Sequence, residues 1–384
     1  MIPSVLARLK LSDLRPLHTG VLSMSESSKP KNVSRRGFVK YAAGAVGVAA
    51  LAGLAYYAGT QMVPPPPPQK AVNNVHIVLY GHHDEGSWDP QLYETLMSAV
   101  TKLPETFHVT VSEGVAAEAA DTTLELAAKN NDLVIASTIV YEGAVKSVAP
   151  RFPNVHFVME QDPIGLNPKS IVKETDYPSN VIILGPGCMT NQYVIGALAA
   201  KLVGPNAKLG FIQSLDIPVT VHTGAELRLG ARSVYPGMEV MREIIGDFVN
   251  PVKNRDAISF MADNGVKAVY VEQDDTSGIL EAVAKGIYVI PAYKDLRALA
   301  PDNVLCSSVW NWEPGWSAVL DAHAKGQWDR LRSENWYWEM TLANLGLGLG
   351  TYGNMVTDDL KSFAEKLKSD ISSGAVSVPY VDTW

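Results

Sequence analysis

The 384-residue sequence has only two cysteines, Cys188 and Cys306, too few for a disulfide framework or a four-thiolate zinc site. It also lacks any basic surplus: 32 Lys and Arg stand against 40 Asp and Glu, a formal charge of −8. A nucleic-acid binder carries the opposite balance, so a nucleic-acid polymer is excluded as partner. Charged residues are scarce at 19%, against roughly 25% in ordinary soluble proteins. Several catalytic signatures are missing as well, including a phosphate-cradling GxxxxGK(S/T) loop, a GxSxG elbow and an HExxH pair. What is abundant is apolar surface. At 47% it supplies core enough for two domains and excludes wholesale disorder.

The first seventy residues read as an address. Ser34-Arg35-Arg36-Gly37-Phe38-Val39-Lys40 has the form of a twin-arginine export signal, and an uncharged apolar stretch from Tyr41 to Gly59 follows at once. As a helix that stretch would span about 28 Å, close to a hydrocarbon core of roughly 30 Å. No clean small-x-small cleavage site and no lipidation cysteine follow it, so lipidation is excluded and an uncleaved membrane anchor stands beside a cleaved leader as an open alternative. Met24 offers an alternative start nearer the motif. The run Pro64 to Pro68 is then a stiff polyproline spacer. Residues 1–63 are therefore expected to be signal and anchor and 64–73 a linker, placing the rest on the extracellular face of the cell membrane.

From Val75 onward, short β-branched runs alternate with helical patterns. Strands are expected at 76–80, 108–111, 133–136, 156–159 and 181–184, then at 208–212, 239–245, 267–271, 287–290 and 304–308. Helices are expected around 124–128, 192–202, 256–264 and 278–284. This alternation predicts parallel sheets wrapped by helices, and ten strands suit two sheets better than one. In the first such unit Asp89 is expected to cap a helix opened by Pro90, with Leu92, Leu96, Val100 and Leu103 facing the sheet. Asp84, Ser87 and Trp88 then fall in the loop at the carboxyl end of a parallel strand, the edge where open α/β sheets bind ligands.

The other strand ends carry a similar mix of aromatic rings, carboxylates and amides: Thr138 with Tyr141, Gln161-Asp162, Ser214 with Asp216, Glu272-Gln273-Asp274-Asp275, Tyr293, and Trp310-Asn311-Trp312. Such a set suits a flat, polar ligand with many hydrogen-bonding positions. Six of the eight tryptophans lie between Trp310 and Trp338, most of them expected to pack a C-terminal helical layer. His82-His83-Asp84-Glu85 is declined as a metal site because adjacent side chains of an extended chain point opposite ways. Gly348-Leu349-Gly350-Thr351-Tyr352-Gly353 matches GxGxxG in form. Too little chain follows it for a dinucleotide-binding unit, so a glycine-rich turn is expected. No catalytic residue, metal or cofactor is assigned, and pairing of Cys188 with Cys306 is left open.

The segment Asp84-Glu85-Gly86-Ser87-Trp88-Asp89, with Tyr93 and Glu94, resembles the basic membrane protein family of ABC-transporter solute-binding proteins, which includes purine-nucleoside receptors. The likeness continues through Phe152-Pro153-Asn154-Val155-His156-Phe157, Gly196 to Lys201, Lys208 to Ile212, Gly230 to Pro236, Asp275-Thr276-Ser277-Gly278 and Val309 to Trp312. It departs from the family at Asp89, where many relatives have Asn, and at the shortened turn Ala292-Tyr293-Lys294-Asp295. The resemblance implies a type I periplasmic-binding-protein fold, two Rossmann-like α/β lobes joined by three hinge crossings. The lobes are expected at 74–186, with a return near 311–342, and at 187–310, with 343–384. It further implies a purine nucleoside or nucleobase held between them, Trp88 stacking on the base, and a non-enzymatic receptor serving an ABC permease and ATPase as a monomer. The ligand-binding set expected is Trp88, Asp84, Ser87, Asp89, Thr138, Tyr141, Gln273, Asp275, Trp310 and Asn311. The alternatives are the same fold holding a sugar or other small solute, a sensory subunit, and an exported nucleoside hydrolase.

Overall fold

A computed structural model describes residues 72–160, 173–381 and 383–384. The twin-arginine motif, the apolar stretch, the proline run and Gln161-Asp162 lie outside the described residues. Among the described residues no helix is long and apolar enough to cross a membrane.

The first sheet is built from β1 (Val72–Val78), β2 (Thr106–Ser112), β3 (Leu133–Ala136), β4 (His156–Glu160), β5 (Val181–Pro186) and the late β11 (Tyr337–Met340). Their order across the sheet is β11-β5-β4-β3-β1-β2, every pair parallel. Helices α1 (Trp88–Lys102), α2 (Ala120–Asn130) and α3 (Glu142–Val148) connect these strands. β3 is buried at all four positions, as a central parallel strand covered on both faces must be. β2 lies at the edge and is half-exposed along its length.

The second sheet repeats the plan with β6 (Lys208–Gln213), β7 (Glu239–Ile244), β8 (Val266–Val271), β9 (Tyr288–Tyr293), β10 (Ser308–Trp310) and β12 (Leu347–Leu349). The order is β12-β10-β9-β8-β6-β7, parallel except for the antiparallel β10–β12 pair. Its helices include α4 (Thr190–Val203), α5 (Pro218–Val234), α6 (Pro251–Asp263) and α7 (Ser277–Lys285). The chain returns to the first sheet through α8 (Glu313–Ala324) and α9 (Trp328–Asn335), and α10 (Asp358–Ser372) packs against α4. It thus passes between the sheets three times, after β5, after β10 and after β11.

Three sequence expectations change. The strand expected at 304–308 is buried but irregular: Val304 makes an isolated bridge to Val289, and the ladder forms only at Ser308–Trp310, where β12 supplies a second partner. β11 and β12 add two strands to the ten, so Trp338 belongs to a sheet rather than a helical layer. Finally, Asp89 is not a helix cap. α1 begins at Trp88, two residues before Pro90, because a carboxylate from elsewhere in the chain takes over the capping.

Candidate functional site

A cavity of about 700 Å³, counted out to its mouth, lies between the carboxyl ends of the two sets of strands. The first lobe contributes Tyr80 after β1, Trp88 and Asp89 on α1, Thr138 and Ile139 after β3, and Glu160 at the end of β4. The second contributes Phe248 and Val249 after β7, Glu272 and Asp274 after β8, Tyr293 ending β9, and Trp310 ending β10. The first turns of α5 add Val219, Thr220 and Thr223. Its position at the carboxyl ends of both sets of strands suits a small-molecule site.

Aromatic rings dominate one wall. The Trp88 indole meets Tyr293 edge-on at 4.7 Å, Trp312 at 5.0 Å and Trp310 at 5.5 Å, and donates Nε1–H to the Ser137 carbonyl at 2.9 Å. Edge-to-face contacts of this kind contribute about 0.5–1.5 kcal/mol each beyond area burial. Tyr293 holds φ at 70°, a conformation that costs a bulky residue roughly 1–3 kcal/mol. On the other side Tyr80 faces Phe248 edge-on at 6.3 Å across the cleft.

Carboxyl groups supply the polar part. Asp89 is 1% exposed; one oxygen accepts from Gly81 N–H at 2.6 Å, and Oδ1 is buried without a hydrogen-bond partner. Burial, and then the charge of Asp274, push its pKa up to about 7. Glu272 accepts from Ser214 N–H at 3.2 Å, and burial pushes it well above the usual carboxylate range. Asp274 reaches across to the first lobe. It accepts from the backbone N–H groups of Ser87 and Trp88, the latter at 2.7 Å, and from Ser87 Oγ at 3.1 Å. The first N–H groups of α1 have no partner within their own helix, so a second-lobe carboxylate caps a first-lobe helix. Gly86 permits this approach: its φ is +85°, and a Cβ there would lie 2.5 Å from the Asp274 carboxylate. Burial pushes the Asp274 pKa up to about 6.

The expected set divides accordingly. Trp88, Asp89, Thr138 and Trp310 line the cavity. Ser87 is spent on Asp274. Gln273 donates to Ser214 Oγ at 3.0 Å and to the Asp247 carbonyl at 2.9 Å, and Asp275 accepts from Ser277 N–H at 2.9 Å at the start of α7. The Tyr141 hydroxyl donates to the Val115 carbonyl inside the core, and Asn311 Nδ2 donates to Leu345 O at 3.1 Å. Asp84 is exposed to solvent. Tyr80, Glu160, Phe248 and the α5 residues were absent from the expectation. Glu272, Asp274 and Tyr293 figured only in the wider strand-end mix. Cys188 and Cys306 are not joined in a disulfide.

This geometry can be set beside known proteins. The profile of the Bmp family, described as ABC transporter substrate-binding protein PnrA-like, matches residues 72–382. The chain belongs to this family. It is 28% identical over 278 residues to a purine-binding protein of Brucella abortus, covering 72% of this chain and 73% of that one. It is 22% identical over 323 residues to basic membrane protein A of Borreliella burgdorferi, covering 80% and 88%. Among solved structures, a solute-binding protein of an ABC transporter system from Conexibacter woesei superposes with a TM-score of 0.64 at 22% identity, over 80% of this chain and 99% of that one. The last likeness is one of fold, and the fold is the type I periplasmic-binding-protein architecture. As a substrate-binding protein of this family, the chain is of the kind that holds a small molecule and works with permease and ATPase subunits.

The buried carboxyls make ligand-free stability depend on pH. Asp89 binds its proton more tightly folded (about 7) than unfolded (about 3.9), so its contribution is complete at low pH and is lost as pH rises through 7. Glu272 acts in the same sense. His156, His323 and His76 have pKa values lowered by burial and act oppositely, but only below about pH 6.5, above which they are neutral folded or unfolded. Between about pH 6.5 and 8 the carboxyls therefore act without opposition from these histidines. The midpoint of thermal unfolding should fall across that window, with an Asp89 share of about 1 kcal/mol. Asp89→Asn, which keeps an acceptor for Gly81 N–H, should remove that share; scanning calorimetry at several pH values measures it.

Proposed function

We propose that this chain is the extracytoplasmic receptor of an ABC importer for a purine nucleoside or purine nucleobase, held to the membrane by residues 41–59 after twin-arginine export. It acts as a monomer and performs no chemistry on its ligand. The observation that carries the ligand class is the lining itself. Aromatic rings from both lobes provide flat apolar contact, while buried carboxyls and threonines offer hydrogen bonds in the plane of a heterocycle. Base–aromatic contacts of this type contribute about 1–3 kcal/mol per base. The unpartnered Asp89 oxygen is a ready position for a ring N–H or a ribose hydroxyl, and it penalises ligands that leave it unpaired. The purine-binding relative from Brucella abortus supports the same class.

Mass spectrometry of ligand released from the purified chain, followed by calorimetry with inosine, adenosine, adenine and hypoxanthine against ribose and glucose, tests the assignment. Micromolar or tighter purine binding with no response to the sugars is expected; sugar binding without purine binding overturns it. Release of free base and ribose from inosine would instead make the chain a hydrolase.

The lining also predicts rejection of nucleotides. Among the described residues it contains Asp89, Glu160, Glu272 and Asp274 but no Lys, Arg or His. A phosphate brought into this space would be a buried anion with no cation to pair it. Inosine 5′-monophosphate should therefore bind at least about a hundredfold more weakly than inosine, a difference of about 3 kcal/mol in competition calorimetry.

A further inference from the structure

Away from the cavity, three side chains of ligating type meet where the chain first crosses between the sheets. Cys188 lies between β5 and α4, and His222 and Glu226 stand one turn apart on the same face of α5. Glu226 Oε1 is 3.8 Å from Cys188 Sγ and 3.8 Å from His222 Nδ1. A sulfur, a ring nitrogen and a carboxylate oxygen of the three all lie within 4.8 Å of one another. We propose that Cys188, His222 and Glu226 form a binding site for a zinc ion, which fastens the first interlobe crossing to α5.

The spacing suits the ion. Zinc bonds of about 2.0–2.3 Å in a tetrahedron put neighbouring ligand atoms roughly 3.3–3.6 Å apart. The 3.8 Å between Cys188 Sγ and Glu226 Oε1 needs to close by a few tenths of an ångström, and the other separations, within 4.8 Å, by up to roughly 1.5 Å. The donor set balances charge: one thiolate and one carboxylate neutralise a dication, which removes the main penalty for burying it. His222 and Glu226 are fully enclosed, and Glu226 Oε2 is buried without a hydrogen-bond partner, a bonding requirement that a cation would meet. The imidazole is held by the C-terminal tail. Its Nδ1 donates to the Val381 carbonyl at 2.7 Å, and the Tyr380 ring stacks on it at 4.2 Å. Because a carbonyl can only accept, that bond leaves the Nε2 lone pair directed toward the Cys188–Met189 backbone, where Met189 N–H approaches at 3.4 Å. A histidine whose second nitrogen is fixed by a backbone carbonyl is the usual arrangement at zinc centres.

The full-length chain, purified under reducing conditions and stripped with a chelator, is titrated with zinc and separately with cobalt(II). One equivalent of each should bind, and cobalt should show a thiolate charge-transfer band with the intense visible bands of tetrahedral coordination. Cys306 is wholly buried and distinct from the cluster, so the thiolate band reports Cys188. Cys188→Ser should abolish the band, and Glu226→Gln should weaken zinc binding at least tenfold, with both variants checked for folding by circular dichroism. Absence of the band in the unmodified chain overturns the proposal whatever the variants do. Zinc affinity unchanged in two folded variants overturns it equally.

Discussion

Replacing Trp88 with alanine should lower purine affinity at least about a hundredfold, more than 2.7 kcal/mol, and Trp88→Phe should restore most of it. Two losses combine in the alanine variant. A base held in the cavity loses an aromatic surface contributing about 1–3 kcal/mol. The lobes also lose two edge-on contacts, because Tyr293 ends β9 and Trp310 ends β10 in the second sheet while Trp88 opens α1 on the first; Trp312, at the start of α8, is a third ring beside it. Phenylalanine keeps a ring among those three and gives up the hydrogen bond from Nε1 to the Ser137 carbonyl. Titration calorimetry gives the affinities, and thermal unfolding of the ligand-free variants separates loss of binding from loss of fold. Full affinity in a folded Trp88→Ala protein would remove Trp88 from the site.

The two-sheet fold was legible because most strands are continuous apolar runs bounded by turns, as buried parallel strands must be. β11 and β12 were not, since Tyr337–Met340 and Leu347–Leu349 are short and take their identity from the strands they join. Position at a strand end was the useful signal for the cavity lining, which includes Trp88, Asp89, Thr138 and Trp310. It does not say which side chains of the run Glu272-Gln273-Asp274-Asp275 enter the cavity. Side chains alternate along extended chain, so Glu272 and Asp274 enter the cavity while Gln273 and Asp275 serve neighbouring loops. Phe248 and the α5 residues Val219, Thr220 and Thr223 had no local signal, because only apposition of the two sheets brings them to the ligand space. Asp84 shows the converse. Membership of the right loop does not turn a side chain inward.

The contacts that bridge the two sides of the cleft are few and specific. Besides the aromatic group, Gln91 Nε2 donates to the Trp310 carbonyl at 3.0 Å, and Lys294 pairs with Glu94 at 2.5 Å. The latter pair is partly exposed, and such pairs contribute at most about 1 kcal/mol. Asp274 differs in kind. It is the carboxylate that satisfies two N–H groups at the start of α1, and it does so inside the cavity wall. The cavity wall and the interlobe contact therefore share a residue, and closure should be sensitive to it.

Asp274→Ala should weaken purine binding roughly thirtyfold or more, about 2 kcal/mol, and should enlarge the ligand-free protein. Removal of the carboxylate leaves Ser87 and Trp88 N–H groups without their acceptor in the closed arrangement, where each unsatisfied buried donor costs about 1–3 kcal/mol. Water satisfies the same groups when the cleft is open, so the whole penalty falls on the closed form. Apparent affinity scales with the fraction of molecules able to close, and a shift of this size passes directly into the measured constant. Asp274→Asn separates capping from charge: its amide oxygen can still accept from both N–H groups, so closure and most of the affinity should survive. Small-angle scattering of the ligand-free proteins reports the lobe separation, and calorimetry reports the affinity. If Asp274→Ala binds weakly yet scatters like the unmodified chain, Asp274 acts on the ligand alone and the latch is wrong. If both variants open and weaken together, the charge rather than the hydrogen-bond geometry holds the lobes.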